Sequence, residues 1–361
     1  MPNLRTITSR NAPLLEFQGR KIGPSQPAFV IAEAGVNHNG SLQTAIELVH
    51  AASNAGADCI KFQTFQPDQV VTASAPKATY QLSVTDPAES QLAMLEKLEL
   101  QRASYSDLIN ACKNDNVIFS STPYDEDDIA FLDSLDVPFY KAASMHCAEP
   151  HFLEVMAKTG RPIILSTGMA NWSEVDTAVA AIRNTGNDGL ILLQCTTNYP
   201  SVVHDANLRT MVAMAERYDC LVGYSDHTQS HTACLASIAL GACVIERHLT
   251  LDRTMPGPDH SSSDAPDEFQ SLVRSIREVE AALGSHEKRP TEAEKRNMTG
   301  MRRSIVTRRP VPKGKILSDQ DLICKRPATG ILPSQWSQLI GKRAERDIPE
   351  GVQLTWEDLS E

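Results

Sequence analysis

Phe29–Gly56 reads FVIAEAGVNHNGSLQTAIELVHAASNAG, and these residues hold one whole unit of a repeating pattern. FVIAEAG is a continuous apolar run of strand length. Ser41 then stands where a helix N-cap belongs, LQTAIELVHAAS carries apolar residues at helical spacing, and Gly56 stops it. Seven further runs follow: Cys59–Phe65, Val117–Pro123, Phe139–Ser144, Pro162–Thr167, Leu190–Thr196, Leu221–Asp226 and Val244–Thr250. Each is followed by an amphipathic stretch, and Asn171-Trp-Ser-Glu opens one of these with capping chemistry. Uninterrupted apolar runs suit strands buried on both faces, as in a parallel sheet wrapped by helices. Eight units match the roughly 250 residues of an α/β fold of the (β/α)8 TIM-barrel kind. The alternative is a doubly wound open sheet. No G-x-G-x-x-G follows any run, and eight regular repeats exceed what that fold uses.

Outside the repeats the chain changes character. Residues 1–284 are expected to form the barrel, 285–301 a polar linker, and 302–361 a small domain. That last region contains an echo: Val311-Pro-Lys-Gly-Lys-Ile-Leu-Ser-Asp-Gln-Asp-Leu322 returns 37 residues later as Ile348-Pro-Glu-Gly-Val-Gln-Leu-Thr-Trp-Glu-Asp-Leu359. Pro-x-Gly favours a tight turn, and two copies suit a compact pseudo-symmetric domain rather than a solenoid.

Across all 361 residues, 34 Lys and Arg face 45 Asp and Glu, a net charge of −11. That balance gives no basic footprint for nucleic acid or an anionic membrane. No run approaches the ~18 apolar residues of a membrane span, and MPNLRTITSRNAPLLEF has no signal-peptide core. Eight cysteines without C-x-x-C spacing read as reduced thiols. A cytoplasmic protein is expected.

Polar residues gather at the run ends, where barrels of this kind carry their chemistry. Glu33 ends the first; Lys61 and Gln63 lie two apart on the second and share a face. Ser121 and Thr122, Lys141 and Ser144, then Ser166 and Thr167 follow on the third to fifth. Thr196, Thr197 and Tyr199 follow the sixth, Ser225, Asp226 and His227 end the seventh, and Glu246 and His248 lie on the eighth. Wet strand ends explain the hydroxyls. They do not explain two lysines and two glutamates inside apolar runs, because unpaired buried charge is expensive. His227 and His248 sit on consecutive strands, about 4.8 Å apart in a sheet. Two readings stand at this point: a shared Mn²⁺-like cation with open positions for substrate, or two separately hydrogen-bonded imidazoles. The lysines with nearby hydroxyls suit a phosphate and a carboxylate.

Several of these stretches resemble bacterial sialic acid synthases: IAEAGVNHNG (Ile31–Gly40), IKFQTF (Ile60–Phe65), APKATYQ (Ala75–Gln81), ILSTGMAN (Ile164–Asn171), QCTTNYPS (Gln194–Ser201), VGYSDHT (Val222–Thr228), GACVIERHLTLDRTMPGPDH (Gly241–His260) and KRPATGI (Lys325–Ile331). The resemblance spans nearly the whole chain, in order. It implies a barrel followed by an antifreeze-like (SAF) domain, swapped across a homodimer, and a condensation of phosphoenolpyruvate with an N-acylated mannosamine-type aldose that releases phosphate. The product implied first is N-acetylneuraminate, with N,N'-diacetyllegionaminate as the alternative. By resemblance, His227 and His248 hold the metal, Mn²⁺ with Mg²⁺ or Co²⁺ as alternatives, which polarises the aldehyde oxygen. Glu246 is then the general acid/base and Glu33 the second carboxylate. Lys61, Thr122, Lys141, Ser144, Ser166, Thr197, Ser225 and Arg302 grip phosphoenolpyruvate, while Gln63, Tyr199, Asp259 and Arg326 meet the sugar. One departure stands out: Met145-His146 replaces the Gly-Glu that usually follows Lys-x-x-Ser. Rival readings are a synthase acting on a phosphorylated sugar and a non-catalytic sugar-binding protein.

Overall fold

A computed structural model of the chain describes residues 14–285 and 287–361. The absence of a signal-peptide core was read largely on residues 1–13, which lie outside the described residues, as does His286 of the expected linker. The chain divides into two compact units, Met1–Gly284 and Ser285–Glu361.

The first unit opens with a short antiparallel hairpin, β1 (Leu15–Phe17) and β2 (Arg20–Ile22). Eight parallel strands follow: β3 (Phe29–Gly35), β4 (Cys59–Thr64), β5 (Ile118–Pro123), β6 (Tyr140–Ala142), β7 (Ile163–Ser166), β8 (Leu190–Cys195), β9 (Leu221–Asp226) and β10 (Val244–His248). They pair in the order β5-β4-β3-β10-β9-β8-β7-β6, and β5 and β6 pack side by side at the remaining seam. The result is a nearly closed TIM barrel with helices outside. Two strands match the expected runs to the residue, and the other six are trimmed by one to three residues in all. β6 is shortest because Ser144 already begins a 3₁₀ turn.

Strand alternation sorts the side chains. On the outer face Val30, Ala32, Ile60, Leu165, Leu192 and Val222 bury against helices such as Leu42–Asn54 and Pro266–Leu283. Ser41 caps the first of these, accepting from the Thr44 amide at 3.2 Å. Inside, the barrel is divided along its axis. Towards the strand N-termini, Phe29, Ile31, Phe139, Ile164, Ile191, Leu193 and Val244 form an apolar layer with Phe17 and Ile22 of the hairpin. Phe17 stacks on Phe139 at 4.4 Å between centroids and meets Phe29 edge-on at 5.6 Å. The hairpin thus seals one end. No helix of the described residues is long and apolar enough to cross a membrane, and the eight cysteines are unpaired, seven of them buried.

In the second unit, residues 285–301 do not behave as an extended linker throughout. They include a helix, Glu292–Met301, closed by a capping box between Thr291 and Glu294. Its composition reads as linker because none of its residues is buried. Beyond it the repeated sequence becomes repeated structure. β11 (Ser304–Thr307) pairs antiparallel with β12 (Leu322–Lys325), and β13 (Arg343–Ala344) with β14 (Leu359–Ser360). Val311 and Ile348, equivalent in the two copies, exchange both backbone hydrogen bonds at 2.8 Å. Each copy also builds the same buried hub. Asp321 accepts from the Ser318 amide and hydroxyl and from Arg309 at 2.7 Å; Asp358 accepts from the Thr355 amide and hydroxyl and from Arg346 at 2.7 Å.

Burial disfavours the charged form of Asp321, but hydrogen bonds from Lys315, Ser318 and Arg309 outweigh it and hold the carboxyl well below the ordinary range. A depressed folded-state pKa contributes stability that is present above the unfolded value of about 3.9 and is lost as pH falls below it. Asp321→Asn should therefore cost about 1–3 kcal/mol at pH 7, and the deficit should shrink towards pH 3. Denaturant unfolding of the full chain at both pH values measures it. A deficit unchanged by pH would rule out the ionised hub as its source.

Candidate active site

Above the apolar layer the barrel interior turns polar within one residue pair per strand. Glu33, Lys61, Lys141 and Glu246 all point inward from β3, β4, β6 and β10, and all are buried. Lys61 Nζ lies 2.7 Å from Glu33 Oε2 and 3.8 Å from Glu246 Oε2; Lys141 Nζ lies 3.5 Å from Glu246 Oε1. Lys61 also donates to Thr122 Oγ1 at 3.0 Å, Lys141 to Ser166 Oγ at 2.8 Å, and Ser225 Oγ to Glu246 Oε1 at 3.0 Å. Two cations and two anions thus offset one another, the condition under which buried charge is tolerated. The two carboxyls are not equivalent. Burial pushes Glu33 up to about 7, against the pull of Lys61 and with help from Glu246. Burial acts on Glu246 too, but Lys141 and Lys61 outweigh it and hold that group below the ordinary range. Carboxyls driven apart in this way are suited to acid and base roles.

Two glycines mark where the site needs room. An added Cβ on Gly168 would meet Thr197 Oγ1 at 2.3 Å and Ser144 Oγ at 2.7 Å. The Gly168 amide donates to Ser144 Oγ at 3.1 Å. The Ser144 and Thr197 hydroxyls therefore converge beside the Lys141–Ser166 pair, with the Gly168 amide orienting Ser144, and together they form a donor set that suits an oxyanion. Gly35, at φ +53°, has Glu33 Oε1, Gln63 Nε2 and Asp259 Oδ2 at 3.3, 3.4 and 3.6 Å from an equivalent point. Gln63 donates to Glu33 at 3.3 Å and accepts from Tyr124 Oη at 3.1 Å. Burial raises Asp259 to about 6.

His227 and His248 face each other at 5.3 Å between centroids. Tyr199 meets both, at 4.1 Å from His227 and edge-on to His248 at 5.5 Å, and Tyr80 packs against it, tilted, at 4.8 Å. His227 Nδ1 donates to the Thr196 carbonyl at 2.8 Å, which fixes the tautomer and leaves Nε2 with a free lone pair. His248 Nδ1 is buried without a hydrogen-bond partner, 4.0 Å from Asp259 Oδ2. No group of three His, Cys, Asp or Glu side chains converges on a point among the described residues. What does fit a cation is the facing imidazole pair itself, with the unpartnered His248 Nδ1 beside it; such a cation would take its other positions from water or substrate.

The barrel brings together the residues of its own sequence that the resemblance implies, but not every polar strand end. Ser121, Thr167 and Asp226 face outward, bonded to Thr64, Met214 and Arg247, because alternation puts them on the opposite face from Thr122, Ser166 and Ser225. Arg302 and Arg326 belong to the second unit, where both are exposed and Arg326 Nε donates to the Met301 carbonyl at 3.0 Å. Tyr80, Tyr124 and Gly168 were not among the expected residues. Tyr124 directly follows β5 and was open to the strand-end argument; Tyr80 lies in the long connection between β4 and β5, where periodicity carries no signal. His146, the departure from the usual motif, is buried on Phe152 at 4.3 Å with Nδ1 bonded to Glu149 at 2.9 Å.

The NeuB family profile matches residues 48–288, and the SAF domain profile residues 302–360. The chain is 42% identical over 341 residues to an N,N'-diacetyllegionaminic acid synthase of Legionella pneumophila, covering 93% of this chain and 96% of that one. It is 40% identical over 324 residues to the synthase of the same name from Campylobacter jejuni, covering 89% and 97%. Among solved structures, the N-acetylneuraminic acid synthetase of Leptospira borgpetersenii, in complex with citrate, aligns with a TM-score of 0.71 at 30% identity, over 79% of this chain and 95% of that one.

The charge set makes a thermodynamic prediction that is independent of activity. Lys61→Met leaves Glu33 and Glu246 short of a counter-charge and should destabilise the chain by about 3–5 kcal/mol. Adding Glu33→Gln should cost less than the sum of the single changes by about 1 kcal/mol or more. Urea unfolding of the four proteins gives the coupling directly. Strict additivity would dissolve the pair.

Proposed function

The chain belongs to the NeuB family and is a phosphoenolpyruvate-condensing transferase, and we propose that its sugar partner is an unphosphorylated, open-chain 2,4-diacetamido hexose and its product N,N'-diacetyllegionaminate. The comparisons move the reading from N-acetylneuraminate, the first expectation, to its alternative. Relatives at 42% and 40% carry the legionaminic name, while the solved structure named for N-acetylneuraminic acid stands at 30%. The observation that carries the chemistry is the buried Lys61–Glu33 and Lys141–Glu246 set beneath the Ser144–Gly168–Thr197 cradle. A pure sugar-binding protein has no use for four charges at the bottom of its cavity.

In this reading Lys61 and Lys141 offset the negative charge of phosphoenolpyruvate, and Thr122, Ser144, Ser166, Thr197 and Ser225 orient it. Gln63, Tyr199 and Asp259 hold the sugar above it. The enol carbon C3 attacks the aldehyde carbon, forming the C–C bond as the C=O π pair moves to oxygen. Glu33, raised towards neutrality, delivers the proton that this oxygen takes. Water adds at C2, and Glu246, held ionised between two lysines, accepts its proton. Collapse of the tetrahedral carbon breaks the bond from C2 to the phosphate oxygen, which leaves with the electron pair and takes up the C2 hydroxyl proton as C2=O forms, giving the 2-keto acid and hydrogen phosphate. His227 and His248 would hold a divalent cation, read here as Mn²⁺ with oxygen donors completing its shell, which would supply Lewis-acid polarisation of the aldehyde when bound.

Phosphate release with phosphoenolpyruvate and a panel of 2-acetamido, 2,4-diacetamido and phosphorylated hexoses tests the substrate. The 2,4-diacetamido sugar should give the highest kcat/KM, at least tenfold above the monoacetamido one; preference for a phosphorylated sugar would overturn the proposal.

Glu246→Gln keeps shape and loses the proton-accepting charge. It should lower kcat at least about a hundredfold with phosphoenolpyruvate binding little changed. Near-normal turnover would transfer the role to Glu33.

A further inference from the structure

β10 alternates Glu246 in, Arg247 out, His248 in. Across the ladders Arg247 lies opposite Ala32 on β3 and Asp226 on β9, while the outward positions below it, Ile245 and Val222 among them, are apolar. Arg247 is nonetheless buried, at 2% exposure, on the side of the strand away from the site. A charge there is expensive unless it is fully paired. Each of its three nitrogens donates one hydrogen bond. Nε and Nη2 donate to Asp264 at 2.6 and 2.9 Å, and Nη1 donates to Asp226 Oδ2 at 2.6 Å.

What those two carboxylates hold gives the arrangement its meaning. Asp226 precedes His227 and accepts from the Thr228 amide at 2.8 Å and from Tyr224 Oη at 3.1 Å, fixing the turn on which His227 stands. The Asp264 amide donates to the His248 carbonyl at 2.9 Å, and the Asp264 carbonyl accepts from the Thr250 amide at 2.9 Å. Asp264 therefore closes the loop that carries Asp259 and joins it to the backbone of His248. His231 Nε2, 2.9 Å from Asp264 Oδ2, buttresses the same carboxylate. One planar, five-donor group thus spans the backs of both imidazole-bearing strand ends.

We infer that Arg247 is a positioning residue: by clamping Asp226 to Asp264 it sets the separation and aim of His227 and His248, and so the affinity of the site for a divalent cation. This rests on the reading of His227 and His248 as a cation site. A lysine keeps the charge but not the fork, so Arg247→Lys is the informative change. Residues that orient metal ligands from behind typically alter affinity by about 10- to 100-fold.

The experiment titrates the full chain with Mn²⁺, reading free ion by its electron paramagnetic resonance signal and thermal unfolding in parallel. Val222→Ala, on the same outward layer but outside the clamp, controls for general loosening. Arg247→Lys should weaken Mn²⁺ binding at least tenfold while phosphoenolpyruvate binding stays within twofold; Val222→Ala should lower the unfolding temperature with Mn²⁺ affinity within twofold. If Arg247→Lys does not fold, Asp264→Asn removes one arm of the clamp and should show the same loss of affinity. Mn²⁺ affinity within twofold of wild type in whichever variant folds overturns the inference, as does an equal loss in Val222→Ala. A wild-type chain that binds no Mn²⁺ overturns the cation reading itself, a result distinct from either.

Discussion

Four charges in a closed space govern this molecule. Lys61 and Glu33 approach to 2.7 Å, with Lys141 and Glu246 beside them, inside a barrel whose lower half is apolar and shut. All four are at most 5% exposed, so each is tolerable mainly through the others. That requirement fixes which strands must be neighbours and in what register. Glu33 lies opposite Lys61 in the β3–β4 ladder and Glu246 opposite Ser225 in β10–β9. The same constraint separates the two carboxyls into one that binds a proton readily and one that does not, without any group being added for the purpose.

Much of this was visible in the chain because strand alternation is a strong code. A charged residue inside an apolar run of known period points to one face, and the eight runs supplied eight faces. The code fails where the period is too short or absent. The hairpin Leu15–Ile22 has two strands of three residues, too brief to register, yet it contributes Phe17 to the seal. Tyr80 sits in the short helix Thr79–Val84, six residues that bury none of their side chains and so leave no apolar period to read, and it meets Tyr199, which in turn meets the histidines. Arg247 was legible as a charge in a strand, but its partners lie 21 and 17 residues away. The helix Glu292–Met301 shows the opposite error. Its Thr291–Glu294 capping box is plain in the sequence, and bulk polarity concealed it.

The second unit follows a different logic from the first. Its core is small, and each half gains a carboxylate hub where a larger domain would have more apolar contacts. The 37-residue echo explains why the hubs share a plan: Arg309, Ser318 and Asp321 correspond to Arg346, Thr355 and Asp358, while Lys315, which also donates to Asp321, is replaced by Val352. The exchange of hydrogen bonds between Val311 and Ile348 places the local two-fold axis between those residues.

The hairpin seal has a consequence for traffic. A barrel stoppered by Phe17 and Ile22 is a vessel with a single neck, so molecules that share it must queue. A ligand lodged against Lys61 and Lys141 sits nearer the stopper than one held by Gln63 and Tyr199. On the proposed reading the deeper guest would enter before the upper one. Order of entry would then be a property of the stopper, set by two hydrophobic side chains at the far end of the barrel.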